Sequence, residues 1–196
     1  MIFPISKSCY KVITSVYDSN GIKISKLLRE ATVSQKIGYQ HVDELKSLGI
    51  IKEETIGSLR IIKPALENET GSLVYGLIEK ERELELINKK PFLKNPLQMI
   101  KEKANDYNIE SVVLFGSFIK DGNEKIDILV ISEVDDKRIV PFLQECFSSV
   151  ENAVSARILN RDGFNRFKET KKDLFEALFN SHVCIHGTQS FLKIIA

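Results

Sequence analysis

The segment Leu114-Phe115-Gly116-Ser117-Phe118, with Ile126-Asp127-Ile128-Leu129-Val130 beginning ten residues after its glycine, constrains the chain more than any other. Two short apolar runs rich in β-branched and aromatic residues, separated by a Gly-Ser turn, read as buried strands over Ser111–Phe115 and Ile126–Ser132. A turn of this kind offers backbone N–H groups and a hydroxyl to a phosphate. A carboxylate at the start of the next strand could hold a metal.

The surrounding pattern supplies helices for these strands. Leu97–Tyr107 is amphipathic, Ile139–Phe147 is a further helix, and Val154–Leu159 is a third strand. Short helices at about 161–168 and 171–179 lead to a last strand, His182–Ile185, that ends at Gly187. This order predicts an α/β domain of about 100 residues. Asn95-Pro96 opens it, and Pro91 and Pro96 bracket a link.

The N-terminal third is built differently. Tyr10, Val12, Ile13 and Val16 recur at helical spacing, and Asp18-Ser19-Asn20-Gly21 is a stop. Ile24–Ala31 predicts a second helix with Leu27 and Leu28 inward. Ser34 is placed to cap a third, which buries Ile37, Val42, Leu45 and Leu48 and ends at Gly49. Two β-like pieces, Ile50–Glu54 and Leu59–Lys63, flank the turn Ile56-Gly57-Ser58 and close at Pro64. Between the two regions, Glu67–Asn88 reads as a helix with Leu73, Leu77, Leu84 and Ile87 at approximate heptad spacing, interrupted by Lys80. It is either a solvated connector or a dimerisation helix.

The net charge of +1 excludes a global basic field, but the distribution is uneven. Residues 1–65 carry ten Lys/Arg against six Asp/Glu, or +4, and residues 108–196 carry eleven against thirteen, or −2. The basic excess at the N-terminus points mildly to an anionic partner. Cys9, Cys146 and Cys184 are odd in number and far apart, which suggests neither a disulfide framework nor a zinc ribbon. No apolar run reaches the length needed to span a bilayer, and the first residues lack a signal-peptide pattern, so a cytoplasmic location is expected.

Three helices and a hairpin in this order resemble a winged helix-turn-helix, and Ser34–Ile51 resembles the recognition-helix region of archaeal and bacterial winged-helix regulators. The resemblance implies double-stranded DNA as partner. Ser34, Gln35, Lys36, Tyr39 and Gln40 would meet bases or phosphates, and Lys52, Arg60 and Lys63 of the wing would meet the backbone or minor groove. His41 could face either way. A homodimer through residues 70–90 would match palindromic half-sites.

Residues 97–190 resemble the minimal branch of the polymerase-beta-type nucleotidyltransferase superfamily. The Gly116-Ser117 turn, the strand carrying Asp127 and the tail Asp173-Leu174-Phe175…Val183-Cys184-Ile185-His186-Gly187 carry the likeness. The family uses Asp-hydrophobic-Asp on one strand and a third carboxylate on its neighbour to hold two metal ions and a nucleoside triphosphate. In one register Asp127 is the second acid and Lys125 replaces the first. In the other Asp127 is the first and Leu129 replaces the second. Val154–Leu159 holds no acid, Arg157 being its one charge, and the loop from Ser117 to Lys125 is short. Asp121 and Glu124 in that loop are candidate substitute ligands. His182-x-Cys184-x-His186 is a further set to inspect for metal binding.

The resulting expectation is an α+β and α/β chain of three parts. Residues 1–65 form a winged helix, 66–95 a connector helix and link, and 96–196 a nucleotidyltransferase-like mixed sheet flanked by helices. It acts as a DNA-binding regulator of transcription whose second domain serves in sensing or interaction, as a pseudoenzyme without cofactor. The alternative is a Mg-dependent enzyme that transfers a nucleotidyl group to protein or RNA. Gly116 and Ser117 would then bind nucleotide, Ser117 and Asp127 would be catalytic, and Asp127 would ligate metal.

Overall fold

The computed structural model describes residues 5–19, 21–120 and 125–196. The chain divides into two compact units, residues 1–78 with 195–196 and residues 79–194, the division falling inside one long helix.

The first unit begins with α1 (Lys7–Ser19), β1 (Ile22–Lys23), α2 (Ile24–Glu30) and α3 (Gln35–Ser47). The hairpin of β2 (Ile51–Ile56) and β3 (Leu59–Pro64) follows. Strand order is β1-β3-β2, all antiparallel, with Ile22 opposite Ile62. This mixed arrangement of three helices and a small sheet is compatible with a winged helix. Val12, Ile13 and Val16 of α1 are nearly inaccessible, as are Leu27, Val42, Leu45, Ile51 and Ile62 of the elements that follow. Asn20 of the predicted stop lies outside the described residues. Gly21 has φ +127°.

Ser34 caps α3 by accepting the Ile37 N–H at 3.5 Å, and Gly49 at φ +70° ends it in the left-handed conformation. The inner face of α3 differs from the predicted one. Ile37 and Leu48 are 45 % and 52 % exposed, and the buried positions are Gly38, Val42 and Leu45. Gly38 lies so close to α2 that a Cβ there would fall 2.1 Å from Leu28 Cδ2. The absence of a side chain is therefore what lets the two helices approach.

α4 (Glu69–Lys89) follows. Its inward positions include Tyr75, stacked on Tyr17 at a centroid distance of 4.7 Å, and Ile78. Of the heptad-spaced stripe, Leu73, Leu77 and Leu84 face outward, at 58 %, 40 % and 44 % exposure, while Ile87 is half-buried. Among the described residues of this helix, buried positions are also occupied by Glu79, Glu81 and Glu83.

The second unit continues with α5 (Lys94–Lys103), β4 (Ser111–Phe115), α6 (Ser117–Lys120), β5 (Lys125–Ile131), α7 (Ile139–Cys146) and β6 (Ala153–Leu159). It ends with α8 (Arg161–Thr170), α9 (Lys172–Asn180), β7 (His182–His186) and α10 (Thr188–Ile195). The sheet order is β6-β5-β4-β7, with β5 and β6 parallel and the other pairs antiparallel. Val112, Leu114, Ile126, Ile128 and Val130 cover one face against Leu97, Ile100, Phe142 and Leu143 of α5 and α7. The alternate residues face the other side, where Phe164, Phe167, Phe175 and Phe179 of α8 and α9 form a continuous aromatic cluster. The strands and helices predicted here are present, while α6 and α10 had no counterpart in the sequence reading.

Candidate functional site

The N-terminal half of α3 presents Gln35, Lys36, Tyr39 and Gln40 to solvent over an apolar underside, with Ser34 engaged in the cap. His41 turns partly inward, its Nε2 2.8 Å from Ser8 Oγ. Opposite-strand residues in an antiparallel pair share a face, as do residues two apart on one strand. Register pairs Thr55 with Arg60 and Glu53 with Ile62, so Glu53 and Arg60 lie on the hairpin face that carries the buried Ile62. There Glu53 accepts both Nε and Nη2 of Arg60, the latter at 3.1 Å, and Lys46 Nζ from α3 at 2.9 Å. The Arg60 guanidinium sits 5.8 Å from the Tyr39 ring centroid. Hydrogen bonds from Arg60 and then Lys46 hold the Glu53 carboxyl down at about 2.

Lys52 and Lys63 oppose each other on the other face of the hairpin. Lys52 pairs with Glu67 at 2.9 Å and Lys63 with Glu54 at 2.6 Å. The three wing cations thus divide between two faces, and each is matched by a carboxylate. Glu53, Glu54, Glu67 and Lys46 were not singled out from sequence. The cross-strand register that brings them to the cations depends on the turn at Gly57.

At the Gly-Ser turn, Phe115 pairs with Asp127, and Gly116 has φ +87°. A Cβ on Gly116 would stand 3.3 Å from Asp127 Oδ2, so the turn lies against the carboxylate. The Gly116 N–H donates to the Ser181 carbonyl at 3.1 Å, and Ser117 is exposed at the start of α6. Lys125 Nζ lies 3.9 Å from Asp127 Oδ1. On β6, Ser155 is opposite Asp127, Ala153 opposite Lys125, and Arg157 opposite Leu129. Arg157 is engaged over the Phe167 ring at 5.5 Å. Asp121 and Glu124 lie outside the described residues. Among the described residues the donor set is one carboxylate beside an ammonium. That set does not fit two divalent cations, whose mutual repulsion requires several anionic ligands.

The His182, Cys184 and His186 side chains do not form a common ligand set. Among the described residues, no group of three or more His, Cys, Asp or Glu is placed to hold a metal. His182 Nε2 is 3.2 Å from Glu79 Oε1, with both side chains fully buried, and its Nδ1 is 3.2 Å from the Phe179 carbonyl oxygen. Cys184 Sγ donates to the His186 carbonyl at 3.3 Å, and burial pushes its thiol pKa up. The register of β7 against β4 slips between Val112 and Val113, which re-aims His186. Glu79 also accepts the Cys184 backbone N–H at 2.7 Å and Arg82 Nη1 at 3.2 Å. Burial works against its charge, but His182, Arg82 and the Cys184 N–H outweigh that and hold its carboxyl below the ordinary range.

An open cleft of about 560 Å³, lined among others by Asn108, Glu110, Glu133, His186 and Ser190, lies at the opposite end of the sheet from Gly116. Its two carboxylates share Arg161, at 3.0 Å and 3.6 Å.

No family model matches the chain, and no curated protein matches it in sequence. Two solved structures are similar at a distance. A MarR family transcriptional regulator from Silicibacter pomeroyi DSS-3 shares 16 % identity at a TM-score of 0.36, covering 44 % of this chain. This chain spans 62 % of that protein's length. TrmBL2, an archaeal chromatin protein with a novel mode of DNA binding, shares 16 % identity at a TM-score of 0.30, over 89 % of this chain and 73 % of its own. Neither likeness assigns a function to this chain. No helix among the described residues is long and apolar enough to cross a membrane.

Proposed function

We propose that the protein is a DNA-binding regulator of transcription, in which α3 enters the major groove and the β2–β3 hairpin flanks it. One observation carries the reading. The outward half of α3 is a contiguous set of exposed Gln35, Lys36, Tyr39 and Gln40 on a helix capped by Ser34 and backed by the buried Gly38, Val42 and Leu45. Gln is shaped for bidentate contact with adenine, Lys for guanine or phosphate, and Tyr for phosphate or a thymine methyl. Retardation of a random duplex at low salt tests it, with Lys36→Ala expected to weaken binding and to lower the salt slope by about 0.9. Retention of full affinity and slope by the variant would overturn this placement.

The second unit serves in this reading as a degenerate nucleotidyltransferase-like module for sensing or interaction. Lys125 beside Asp127 and Ser155 opposite it support that assignment. Incubation with labelled triphosphate and Mg²⁺ is expected to give no transfer, and transfer abolished by Asp127→Ala would establish the enzymatic alternative instead. Two-fold assembly through residues 70–90 is part of the same proposal, supported by the outward Leu73, Leu77 and Leu84. Light scattering of Leu77→Glu against the unaltered chain tests it, with loss of the dimer expected.

A further inference from the structure

We infer that Glu53 is a specificity-determining residue of the wing, an internal phosphate mimic that suppresses sequence-independent binding. The inference rests on the DNA-binding reading above. The Glu53 carboxylate takes Nε and Nη2 of Arg60 in the fork geometry with which guanidinium groups bind phosphate. It also takes the Lys46 ammonium at 2.9 Å. The two N–H groups of Arg60 that point at the carboxylate cannot simultaneously clamp a phosphate.

Exposure argues against a purely structural purpose for this cluster. Arg60 and Lys46 are 41 % and 45 % exposed, whereas Glu53 is 15 % exposed beneath them. Ion pairs of exposed cations add little to stability. They do, however, set the charge that an approaching polyanion meets. The outer face of the hairpin is treated the same way, with Lys63 on Glu54 and Lys52 on Glu67. Sequence-independent affinity for duplex DNA comes from cations that replace counterions along the backbone. A wing whose cations are already compensated contributes little of it, and discrimination is left to Gln35, Lys36, Tyr39 and Gln40. Of the three acids that pair with the wing cations, Glu53 binds two cations from two elements, whereas Glu54 and Glu67 are each paired with one wing lysine. It also fixes the guanidinium 5.8 Å from the ring of Tyr39, itself on the reading face.

The test is the salt dependence of binding to a random duplex, measured by fluorescence anisotropy on the full chain. Glu53→Gln frees Arg60 and Lys46. The slope of log K against log salt is expected to steepen by about one to two units, with affinity at 50 mM salt rising about tenfold. Arg60→Gln distinguishes release of charge from a change in folding. In the otherwise unaltered chain it should move the slope by less than about half a unit, whereas in the Glu53→Gln background it should remove about 0.9. Equal thermal melting of the variants accompanies the measurement. If the unaltered chain binds and Glu53→Gln leaves the slope unchanged, the inference falls and the DNA-binding reading survives. If neither protein retards a duplex at low salt, both fall. Binding by Glu53→Gln alone would support suppression in its strongest form.

Discussion

Two carboxylates in this chain do the same chemistry in opposite surroundings. Glu53 on the wing gathers Arg60 and Lys46 at the surface. Glu79 in α4 gathers His182, Arg82 and the Cys184 N–H where neither it nor His182 is accessible. Both carboxyls are held below the ordinary range, Glu53 by its partners almost alone and Glu79 by partners that overcome desolvation. The contrast shows that a lowered carboxyl does not distinguish a structural ion pair from an exchangeable one. Accessibility does: water or phosphate can replace Glu53 at Arg60, whereas nothing can reach His182 to replace Glu79.

The largest expected effect follows from the buried cluster. Glu79→Ala removes the buried acceptor of the Cys184 N–H and an anionic partner of His182 and Arg82. It should cost about 3–5 kcal/mol, read as a drop in the denaturant midpoint followed by tryptophan-free probes such as far-UV dichroism. A loss below about 1 kcal/mol would mean that water or a rearranged side chain reaches the site, and the distinction between the two clusters would collapse. A smaller effect concerns pH. Because the folded Glu79 carboxyl is depressed, its contribution is complete above the ordinary Glu value and lost as pH falls from about 4 toward its folded value. Unfolding midpoints taken between pH 6 and pH 3 should therefore fall, and fall less steeply in Glu79→Ala. Parallel curves for the two proteins would remove Glu79 from the acid response. The smallest change belongs to the wing, where Glu53→Gln should alter folding stability by no more than about 1 kcal/mol while changing the salt response of binding. A large stability loss there would make the wing cluster a second structural core.

The regular elements were legible wherever local signals sufficed. The Ser34 cap, the Gly49 terminus and the hairpin at Gly57 follow from backbone chemistry within a few residues. β1 was not, since the two residues Ile22 and Lys23 carry no alternation and form a strand only because β3 is there to pair with them. The phase of α3 was misjudged for a related reason. A hydrophobic count selects Ile37, whereas the helical repeat through Leu45 and Val42 leads to Gly38, whose value lies in having no side chain beside Leu28. In α4 the heptad leucines mark an outward face, whereas the inward Tyr75 and Ile78 were not singled out. Buried Glu79 finds His182 and Cys184 across the chain, the latter 105 residues away, and no local pattern announces them. The polar face of α3 proposed to read DNA was identifiable by residue type, and Gln35, Lys36, Tyr39 and Gln40 are exposed. The Glu53 cluster was not, because it arises from a diagonal pairing with Arg60 across the hairpin and a third partner, Lys46, on α3.

β7 lies at the margin of the four-stranded sheet, bonded to β4 on one side. The Glu79 carboxylate occupies the Cys184 N–H on β7, a charged side chain standing where another strand would otherwise add. Unprotected strand margins template aggregation between chains. A helix that inserts an acid at this position acts as a guard against self-association of the sheet. Loss of Glu79 is therefore expected to surface as insoluble protein.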